Sequence, residues 1–529
     1  MFKNHPKGLI PAALSNMGER FGYYIMNAVL TLFLCSKFGL DPATGALIYS
    51  FFYAGIYILS LAGGFIADKL QNYKGTIMAG LITMAVGYAL LSIPIMSNSD
   101  NFVMLLTFTC FALLLIAFGN GLFKGNLQAI VGQMYDSPQY EKHRDAGFQI
   151  FYVFINIGGL IAPFVAPLLR GWWLKVHHLS YNADLPALCH KYLKFGEKMY
   201  DPTVYDKVLA SDGLTKAQEL AANGIQQFEN LNGLAEKVGG SVADLPVFCN
   251  QYLDVFNTGV HYSFIASVAA MLLSLVIFIF SKKILPNPNK KETVTIEYTA
   301  EEKAKLATEI RQRIVALFAV LGVVVFFWFS FHQNGVSLSY FARDFVNTNA
   351  VPPEVWQCIN PLLVVLLTPL IMWIFGAMRK KDKEPSTPMK IAIGMGIAAL
   401  GYLFLTIVSN IIGFPSYNEY LKLPEIAQVA LKTTPWVLIG MYFFLTVAEL
   451  FISPLGLSFV SKIAPKNMQG LCQGLWLSAT AVGNIMLFVG GIMYESIPLW
   501  VCWLVFAIVC TVSMIVMLSM VRWLERVTK

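Results

Sequence analysis

The fold of this chain is decided by stretches such as Leu499–Met520, which reads LWVCWLVFAIVCTVSMIVMLSM and contains no charged residue. About 20 apolar residues in a helix cross the hydrocarbon core of a bilayer. Similar runs occur at Phe102–Phe118, Tyr262–Phe280 and Ile314–Phe329. Because lipid offers the backbone no hydrogen-bond partners, such runs must be helical. We therefore predict an all-α integral membrane protein.

The composition of the whole chain agrees with this prediction. Of its 529 residues, 56% are hydrophobic and 13% are charged, whereas soluble domains carry about 25% charged residues. The formal net charge of +7 is typical of a protein that binds an anionic polymer such as nucleic acid, or of a membrane protein that retains Lys and Arg in its cytoplasmic loops. The apolar runs favour the second interpretation.

Hydropathy, punctuated by Gly, Pro and charged residues, predicts twelve transmembrane helices. Two groups of six helices are typical of the major facilitator fold. We predict the spans at 11–36, 44–68, 75–96, 102–132, 146–170, 259–281, 310–341, 355–378, 387–412, 432–462, 468–494 and 498–522.

Basic residues predict the orientation of these helices. They gather before the first span and after every second span, and the alternate loops are poor in them. By the positive-inside rule, both termini then lie in the cytoplasm, with the chain in the cell (inner) membrane. The predicted organisation is an N-terminal bundle of five helices at 1–171, an extracytoplasmic helical insertion at 172–258, the sixth helix at 259–281, a cytoplasmic linker at 282–309 and a C-terminal bundle of six helices at 310–529.

The polar insertion at 172–258 contains a short internal repeat. Ala183-Asp184-Leu185-Pro186 is followed by Cys189, and Ala243-Asp244-Leu245-Pro246 is followed at the same spacing by Cys249. The matching phase predicts two related helical turns. In an oxidising compartment the two cysteines would form a disulfide; the alternative is two unpaired small residues in a helical hairpin. We interpret the other six cysteines, which lie in or beside spans at irregular spacing, as packing residues rather than metal ligands.

Charged side chains inside the apolar spans are the strongest sequence signals of function, because each is costly in lipid unless it is paired or wetted. On the first span, one polar stripe repeats at helical spacing. It faces a cavity, or it locks neighbouring helices together. Its members are Asn16, Glu19, Arg20, Tyr23 and Asn27.

Three further residues within the spans suggest proton chemistry. Lys124 on the fourth span and Glu449 on the tenth carry opposite charges in opposite halves of the chain. They form either an inert pair or, as we favour, a gate whose proton moves with conformation. On the seventh span, His332 follows Trp328 by one turn. A histidine titrates near neutral pH, so His332 carries a proton or is a neutral hydrogen-bonding residue between helices.

Five motifs lie in order along the chain. They are Gly18–Tyr24 (GERFGYY), Gly63–Asp68 (GGFIAD), Phe151–Leu160 (FYVFINIGGL), Ala448–Pro454 (AELFISP) and Gly474–Trp476 (GLW). Together they resemble the motifs of the proton-dependent oligopeptide transporters, the POT (peptide transporter) family of the major facilitator superfamily. The resemblance covers all twelve spans but not the insertion.

This resemblance implies import of di- and tripeptides, driven by an inward proton gradient through alternating access. It implies that Arg20 and Lys124 meet the peptide carboxylate and that Asn156, Asn360 and Glu449 meet its amino terminus. Opposite charges at opposite ends of one cavity suit a zwitterion. The residues implied to bind substrate are Arg20, Tyr23, Tyr24, Tyr57, Lys124, Asn156, Trp328, Asn360, Glu449, Trp476 and Thr480.

Three positions depart from the family pattern. Asn16 stands where the helix 1 motif has a second Glu, Asn27 where a basic residue is usual, and His332 where an acidic residue is usual. In the family the last two positions form a salt bridge that closes the outer gate, and changing both avoids one unpaired buried charge. We therefore expect a different proton route in this chain. The residues expected to take part in it are Glu19, Lys124, His332 and Glu449.

Other functions stay open at this point. One is a facilitator or symporter of another small solute, such as nitrate, a nucleoside or a peptide-like compound, with altered ion coupling. Another, less favoured, is a non-transporting sensor that uses the insertion for docking. The sequence contains no phosphate-binding loop, zinc spacing or nucleophile arrangement, so we predict neither an enzyme nor a cofactor. The expected partners are short peptides, protons and the lipid bilayer, without nucleic acid, and the chain is expected to act as a monomer.

Overall fold

The chain is a bundle of helices in this computed structural model, which describes residues 4–528 except 41, 99, 183, 241, 287–299, 348–357, 421–422 and 424. Within that part of the chain, twelve helices are long and apolar enough to span a membrane. The prediction of an all-α protein with twelve transmembrane helices is confirmed.

The long helices divide equally between two halves of the chain. In the N-terminal half they are α1 (Leu9–Phe38), α2 (Pro42–Leu70), α3 (Tyr73–Leu91), α4 (Phe102–Gln133), α5 (Arg144–Val176) and α9 (Leu245–Ser281). In the C-terminal half they are α10 (Ala300–Phe331), α12 (Ile359–Arg379), α13 (Thr387–Ile412), α16 (Pro435–Ile463), α17 (Gln469–Ile485), continued by α18 (Leu487–Ser496), and α19 (Leu499–Val527). Shorter helices are α6 (Leu185–Phe195), α7 (Pro202–Ser211), α8 (Leu214–Gly239), α11 (Ser337–Asp344), α14 (Tyr417–Tyr420) and α15 (Glu425–Ala430).

Two helices differ in length from the predicted spans, for local reasons. Helix α9 starts at Leu245 rather than at 259, because Asp244 caps it: the carboxylate accepts from the Val247 amide at 3.1 Å. The second copy of the repeat is therefore the first turn of the sixth transmembrane helix. Helix α10 ends at Phe331, where the apolar run gives way to a 3-10 turn at His332–Gly335. Most of the predicted linker at 282–309 lies outside the described residues.

The bundle has two different ends, and we name them for what lies there. The end at which α2 ends and α3 begins holds Lys74, Arg144 and Lys390, and we call it the basic end. The opposite end carries α6, α7 and α8, and we call it the insertion end. Alternate helices run in opposite directions between the two ends.

Glycines let the helices approach closely without a hydrophobic driving force between them. A Cβ on Gly63 of α2 would lie 2.1 Å from the Gly121 carbonyl oxygen of α4. A Cβ on Gly64 would lie 2.4 Å from the Gly470 carbonyl oxygen of α17. The first contact holds the N-terminal half together, and the second brings the two halves into backbone contact near the basic end.

The insertion is helical, as predicted, and packs on the N-terminal half. Helix α6 lies on α8, on α9 and on the end of α1. His190 of α6 makes a 2.6 Å hydrogen bond with the Ser36 carbonyl oxygen of α1, and Asn257 of α9 donates to the same oxygen at 3.1 Å. Three helices therefore meet at one backbone carbonyl.

Candidate functional site

A polar cavity of about 370 Å³ lies between the two halves, at the middle of the long helices. Helices of both halves contribute to its wall. The lining residues are Arg20, Tyr24, Tyr53, Tyr57, Lys124, Gln128, Tyr152, Ile155, Asn156, Gly159, Trp328, Phe331, His332, Asn334, Asn360, Pro361, Tyr442, Glu449, Ser453, Leu457, Trp476, Leu477 and Thr480.

Almost all residues predicted to bind substrate lie in this wall, and Tyr23 is the exception. Its ring lies behind Arg20, 4.7 Å from the guanidinium carbon. The predicted coupling residues Lys124, His332 and Glu449 also line the cavity, whereas Glu19 does not. The predicted residues therefore line one cavity, except Tyr23 and Glu19, which contact Arg20 from outside the cavity wall.

Arg20 carries its own counter-charge. Its Nε and Nη2 atoms each donate to the carboxylate of Glu19 at 2.6 Å. Glu19 is fully buried, and Asn120 of α4 donates to it at 2.6 Å. The neighbours Glu19 and Arg20 therefore form a neutral unit on one helix, with the guanidinium facing the cavity.

Lys124 is a half-buried cation of the N-terminal wall. Its ammonium group lies 5.1 Å from the centre of the Tyr57 ring, a cation–π contact. Within the described ranges it makes no ion pair with a carboxylate. The predicted contact between Lys124 and Glu449 is absent from this arrangement, in which Glu449 has other partners.

Glu449 accepts hydrogen bonds from both halves of the protein. Tyr152 of α5 donates a short hydrogen bond to Oε1, and Asn360 of α12 donates to Oε2 at 2.7 Å. Asn360 also reaches Thr446 at 3.1 Å. No cation pairs with Glu449 in the part of the chain that the structure covers. The carboxylate is thus held by neutral donors, and one of them comes from the opposite half.

Several aromatic lining residues were not predicted. Tyr53 precedes the predicted Tyr57 by four residues, and the two hydroxyl groups lie 3.2 Å apart. Tyr152 precedes the predicted Asn156 by the same step. Residues four apart share one helix face, so this spacing was the signal that could have found both tyrosines.

His332 begins the 3-10 turn that follows α10. Its ring stacks on Trp328, with ring centres 5.0 Å apart and planes at 15°. The Nδ1 atom of this ring is buried without a hydrogen-bond partner among the described residues. Asn27 accepts a hydrogen bond from Tyr49 at 3.0 Å. Asn27 and His332 therefore contact different groups, Tyr49 and Trp328.

The cavity is closed at the basic end by a charged cluster that joins the halves, which we call the seal. Asp145 of α5 accepts from Lys390 at 2.9 Å and from Lys462 at 3.0 Å, both of the C-terminal half. Ser458 donates to the same carboxylate at 2.6 Å and Thr387 at 3.0 Å. Sequence reasoning missed this seal, because its residues resemble ordinary loop-proximal charges.

Glu384, in the loop before α13, extends the seal. It pairs with Lys390 at 2.7 Å and with Arg379, whose Nη2 donates at 2.8 Å. Burial alone would raise the pKa of Glu384, but the hydrogen bond from Arg379 and the charge of Lys390 outweigh burial and lower it. Glu384 therefore stays ionised around neutral pH.

A second cross-half contact at the basic end uses a carboxylate and a helix N-terminus. Asp68, the last residue of the GGFIAD motif, accepts from the backbone amides of Gly470 at 3.0 Å and Leu471 at 2.7 Å. These amides belong to the first turn of α17, where a negative charge is stabilised by the helix dipole. Tyr73 adds a short hydrogen bond to the same carboxylate.

Exposure along one face of α1 shows where the cavity opens. Asn16, Arg20, Tyr24 and Asn27 lie on one side of α1. Asn16 and Arg20 are 3% and 4% exposed, whereas Tyr24 and Asn27, nearer the insertion end, are half-buried. The cavity therefore opens toward the insertion end.

The two cysteines of the repeat lie in the insertion, away from the cavity. Both are fully buried, and the structure contains them as free thiols. The neighbouring Cys249 thiol and burial raise the pKa of Cys189. Cys189 and Cys249 are therefore neighbours, as the predicted disulfide requires, but their sulfur atoms are not bonded in this structure.

Comparison with known sequences points to one family. The model of the POT family matches residues 74–189 and 288–497, more than half of the chain. The peptide transporter YePEPT of Yersinia enterocolitica is 28% identical over 501 residues, 92% of this chain and 87% of that protein. Dipeptide and tripeptide permease B of Shigella dysenteriae is 27% identical over 528 residues, 96% of this chain and 93% of that protein.

Solved structures share the architecture. A mutant of a peptide transporter POT in complex with alafosfalin has a TM-score of 0.56 at 20% identity, covering 100% of this chain and 96% of that one. A POT family transporter in complex with 5-aminolevulinic acid has a TM-score of 0.55 at 21% identity, with coverages of 99% and 98%. The predicted major facilitator arrangement is thereby confirmed.

Proposed function

Because the chain belongs to the POT family, we propose that it is a secondary active transporter, and not an enzyme, that imports di- and tripeptides with protons by alternating access. The names of the bacterial relatives, a peptide transporter and a dipeptide and tripeptide permease, support this substrate class. The fold, shared along the whole chain with POT transporters, supports the mechanism.

The observation that carries the proposal is the distribution of charge in the cavity. Lys124 offers a cation that the protein does not neutralise, and Glu449 offers a carboxylate held only by neutral donors. A peptide with free termini is a zwitterion, so its carboxylate can pair with Lys124 while its ammonium group pairs with Glu449. Lys124 and Arg20 bind its carboxylate, and Glu449, Asn360 and Asn156 bind its ammonium group. The surrounding aromatic rings accommodate varied side chains.

The orientation follows from the positive-inside rule. The basic end lies in the cytoplasm with both termini, and the insertion lies outside the cell (inner) membrane. In this orientation the cavity is open to the outside and sealed toward the cytoplasm, ready to accept an imported substrate. The cavity is complete within one chain, which supports a monomer as the working unit.

Proton coupling is proposed to act through Glu449. Its carboxylate holds Tyr152, which belongs to the other half, so Glu449 joins α16 to α5. A proton on Glu449 removes an acceptor and weakens that link. Proton binding on one wall therefore loosens a contact between the two halves. His332 takes part from the cavity wall, where its ring stacks on Trp328, and Glu19 holds Arg20 toward the substrate.

The test is uptake of labelled di-alanine into proteoliposomes, with and without an inward proton gradient. Accumulation only with the gradient, competed by unlabelled di- and tripeptides, is the expected result. Equilibration that ignores the gradient would show that coupling has been lost with Asn16, Asn27 and His332. Absence of uptake in folded, correctly inserted protein would favour another small solute, and peptide binding without accumulation would favour a sensor.

Two variants separate the proposed proton carriers. Glu449→Gln is expected to abolish gradient-driven accumulation while exchange of peptide across the membrane persists. His332→Gln is expected to shift the pH dependence of uptake. Glu495→Gln, which removes an exposed carboxylate near the end of α18, is the matched control. If the His332 variant keeps the wild-type pH profile, His332 is removed from the proton route.

A further inference from the structure

The two copies of the insertion's repeat pack against each other. The first copy begins α6 and the second begins α9, and each has an Asp at the N-cap and a Pro in the first turn. Helices α6 and α9 are in contact, and both cysteines point into the contact with no exposure to solvent. Equivalent positions of two equivalent turns thus face each other across one interface.

The two thiols are neighbours, because Cys249 has the largest effect on the pKa of the Cys189 thiol, which it raises. A disulfide needs Cβ atoms about 4 Å apart and Cβ vectors that point toward each other. Because α6 and α9 are in contact and both cysteines are fully buried, the two side chains lie at this interface. This arrangement is stronger evidence for a disulfide than two cysteines that lie in the same segment without being neighbours.

We propose that Cys189 and Cys249 are oxidised to a structural disulfide outside the membrane, which locks α6 onto α9. The proposal rests on the orientation given above and goes beyond peptide transport. Two S–H bonds break and one S–S bond forms. The two electrons and two protons pass to the disulfide of a thiol oxidoreductase in that compartment, which leaves as a dithiol, by way of a mixed disulfide.

The bond would form during folding rather than afterwards. The neighbouring Cys249 thiol, together with burial, raises the pKa of Cys189 far above its ordinary value. The reactive thiolate is therefore scarce once the helices have packed. Oxidation before packing avoids this barrier. The same burial then shields the finished bond from soluble reductants.

The disulfide would brace the outer end of α1. His190, one residue after Cys189, bonds to the Ser36 carbonyl and packs on Gly39, where a Cβ would lie 3.0 Å from its ring. Fixing α6 to α9 holds this histidine in place. The closed loop also contains α7 and α8, so the bond restricts a long stretch of the unfolded chain.

The test uses the full chain, expressed in a cell with an oxidising outer compartment and quenched in acid. Accessible and buried free thiols are blocked with maleimide under denaturing conditions, and the protein is then reduced and labelled with an isotopically heavy maleimide. Two of the eight cysteines should carry the heavy label, and they should map to Cys189 and Cys249. The Cys189→Ser and Cys249→Ser variants should carry none, whereas Cys472→Ser should still carry two.

Two results would overturn the proposal. One is light label on all eight cysteines of the wild-type protein. The other is labelling of a Lys207→Cys variant by an impermeant maleimide only from the basic side, which would place the insertion in a reducing compartment. As a second readout, the Cys189→Ala/Cys249→Ala double variant should unfold several degrees below a Cys472→Ala control. Equal unfolding temperatures would also count against a stabilising bond.

Discussion

The seal and the central cavity contain the same kinds of charged groups, but only in the seal are these groups paired with opposite charges. At the seal, Asp145 is met by two ammonium groups and two hydroxyl groups. In the cavity, Lys124 is met by the face of a tyrosine ring, and Glu449 by a phenol and an amide. One carboxylate has complete charge compensation, whereas the other has none.

This difference teaches where a ligand can compete. A buried charge without a counter-charge is costly, and a substrate that supplies the missing charge recovers much of that cost. The charges of the seal already have counter-charges, so a substrate gains no binding energy by pairing with them. Glu384 stays ionised near neutrality, because the hydrogen bond from Arg379 and the charge of Lys390 lower its pKa. Its ion pairs therefore persist in that pH range.

The comparison is tested most severely by Asp145→Asn. It removes the charge shared by Lys390 and Lys462, and breaking a buried ion pair typically costs about 3–5 kcal/mol. The equilibrium should move toward opening at the basic end by a factor of roughly 100 or more. Cys472, 1% exposed and next to Leu471, is a native reporter of that opening. Its maleimide labelling from the basic side should accelerate accordingly.

The control for this variant is Glu141→Gln, which removes an exposed carboxylate at the same end. It should leave the labelling rate of Cys472 unchanged. If Asp145→Asn behaves like Glu141→Gln, the ion pairs do not hold the basic end closed.

Lys124→Gln tests the cavity side of the comparison. The variant loses a charge-assisted hydrogen bond to the substrate carboxylate, which is worth about 1.5–3 kcal/mol. Peptide affinity, measured by competition with labelled di-alanine, should fall roughly 10- to 100-fold. Labelling of Cys472 without substrate should stay at the wild-type rate. A change in both measurements would mean that Lys124 also supports the closed conformation; exposed Lys207→Gln is the control.

Asp68→Asn should show a weaker form of the seal defect. The amide keeps one acceptor for Gly470 and Leu471 but loses the charge that favours the N-terminus of α17, an effect of about 1–2 kcal/mol in partly buried sites. Labelling of Cys472 should increase by roughly 5- to 30-fold, less than in Asp145→Asn. The reverse order would place the main closing interaction at the helix N-terminus instead of the ion pairs.

The smallest effect is expected outside both regions, at Gly39→Ala. Gly39 has a φ of 61°, and its new Cβ would press on His190 at 3.0 Å. A left-handed alanine costs about 1–2 kcal/mol, so the thermal midpoint should fall slightly. Gly171→Ala, at a helical position with nothing within 4 Å of its Cβ, is the matched control. Uptake and Cys472 labelling should be unchanged in both variants.

The sequence predicted the fold well, because an apolar run long enough to cross lipid has one possible conformation. Its predicted residues include about half of the cavity wall, and Arg20, Lys124 and Glu449 stand out among them because they are charged in apolar surroundings. It did not predict that Tyr152 joins Glu449 across the halves, because that contact depends on how α5 and α16 meet. For the same reason it missed Asp145, whose partners lie hundreds of residues away and resemble ordinary loop charges.

The ion pair of Glu19 with Arg20 has a consequence for the energetics of a transport cycle. Both partners are neighbours on α1, so the helix can rock between open states without pulling the two charges apart. Asp145 and its lysines, in contrast, belong to different halves and must separate and rejoin in every cycle. Electrostatic work is then concentrated at the basic end, where added salt screens separated charges. The turnover rate of the empty carrier should therefore change with the ionic strength at the basic end and not with the ionic strength at the insertion end.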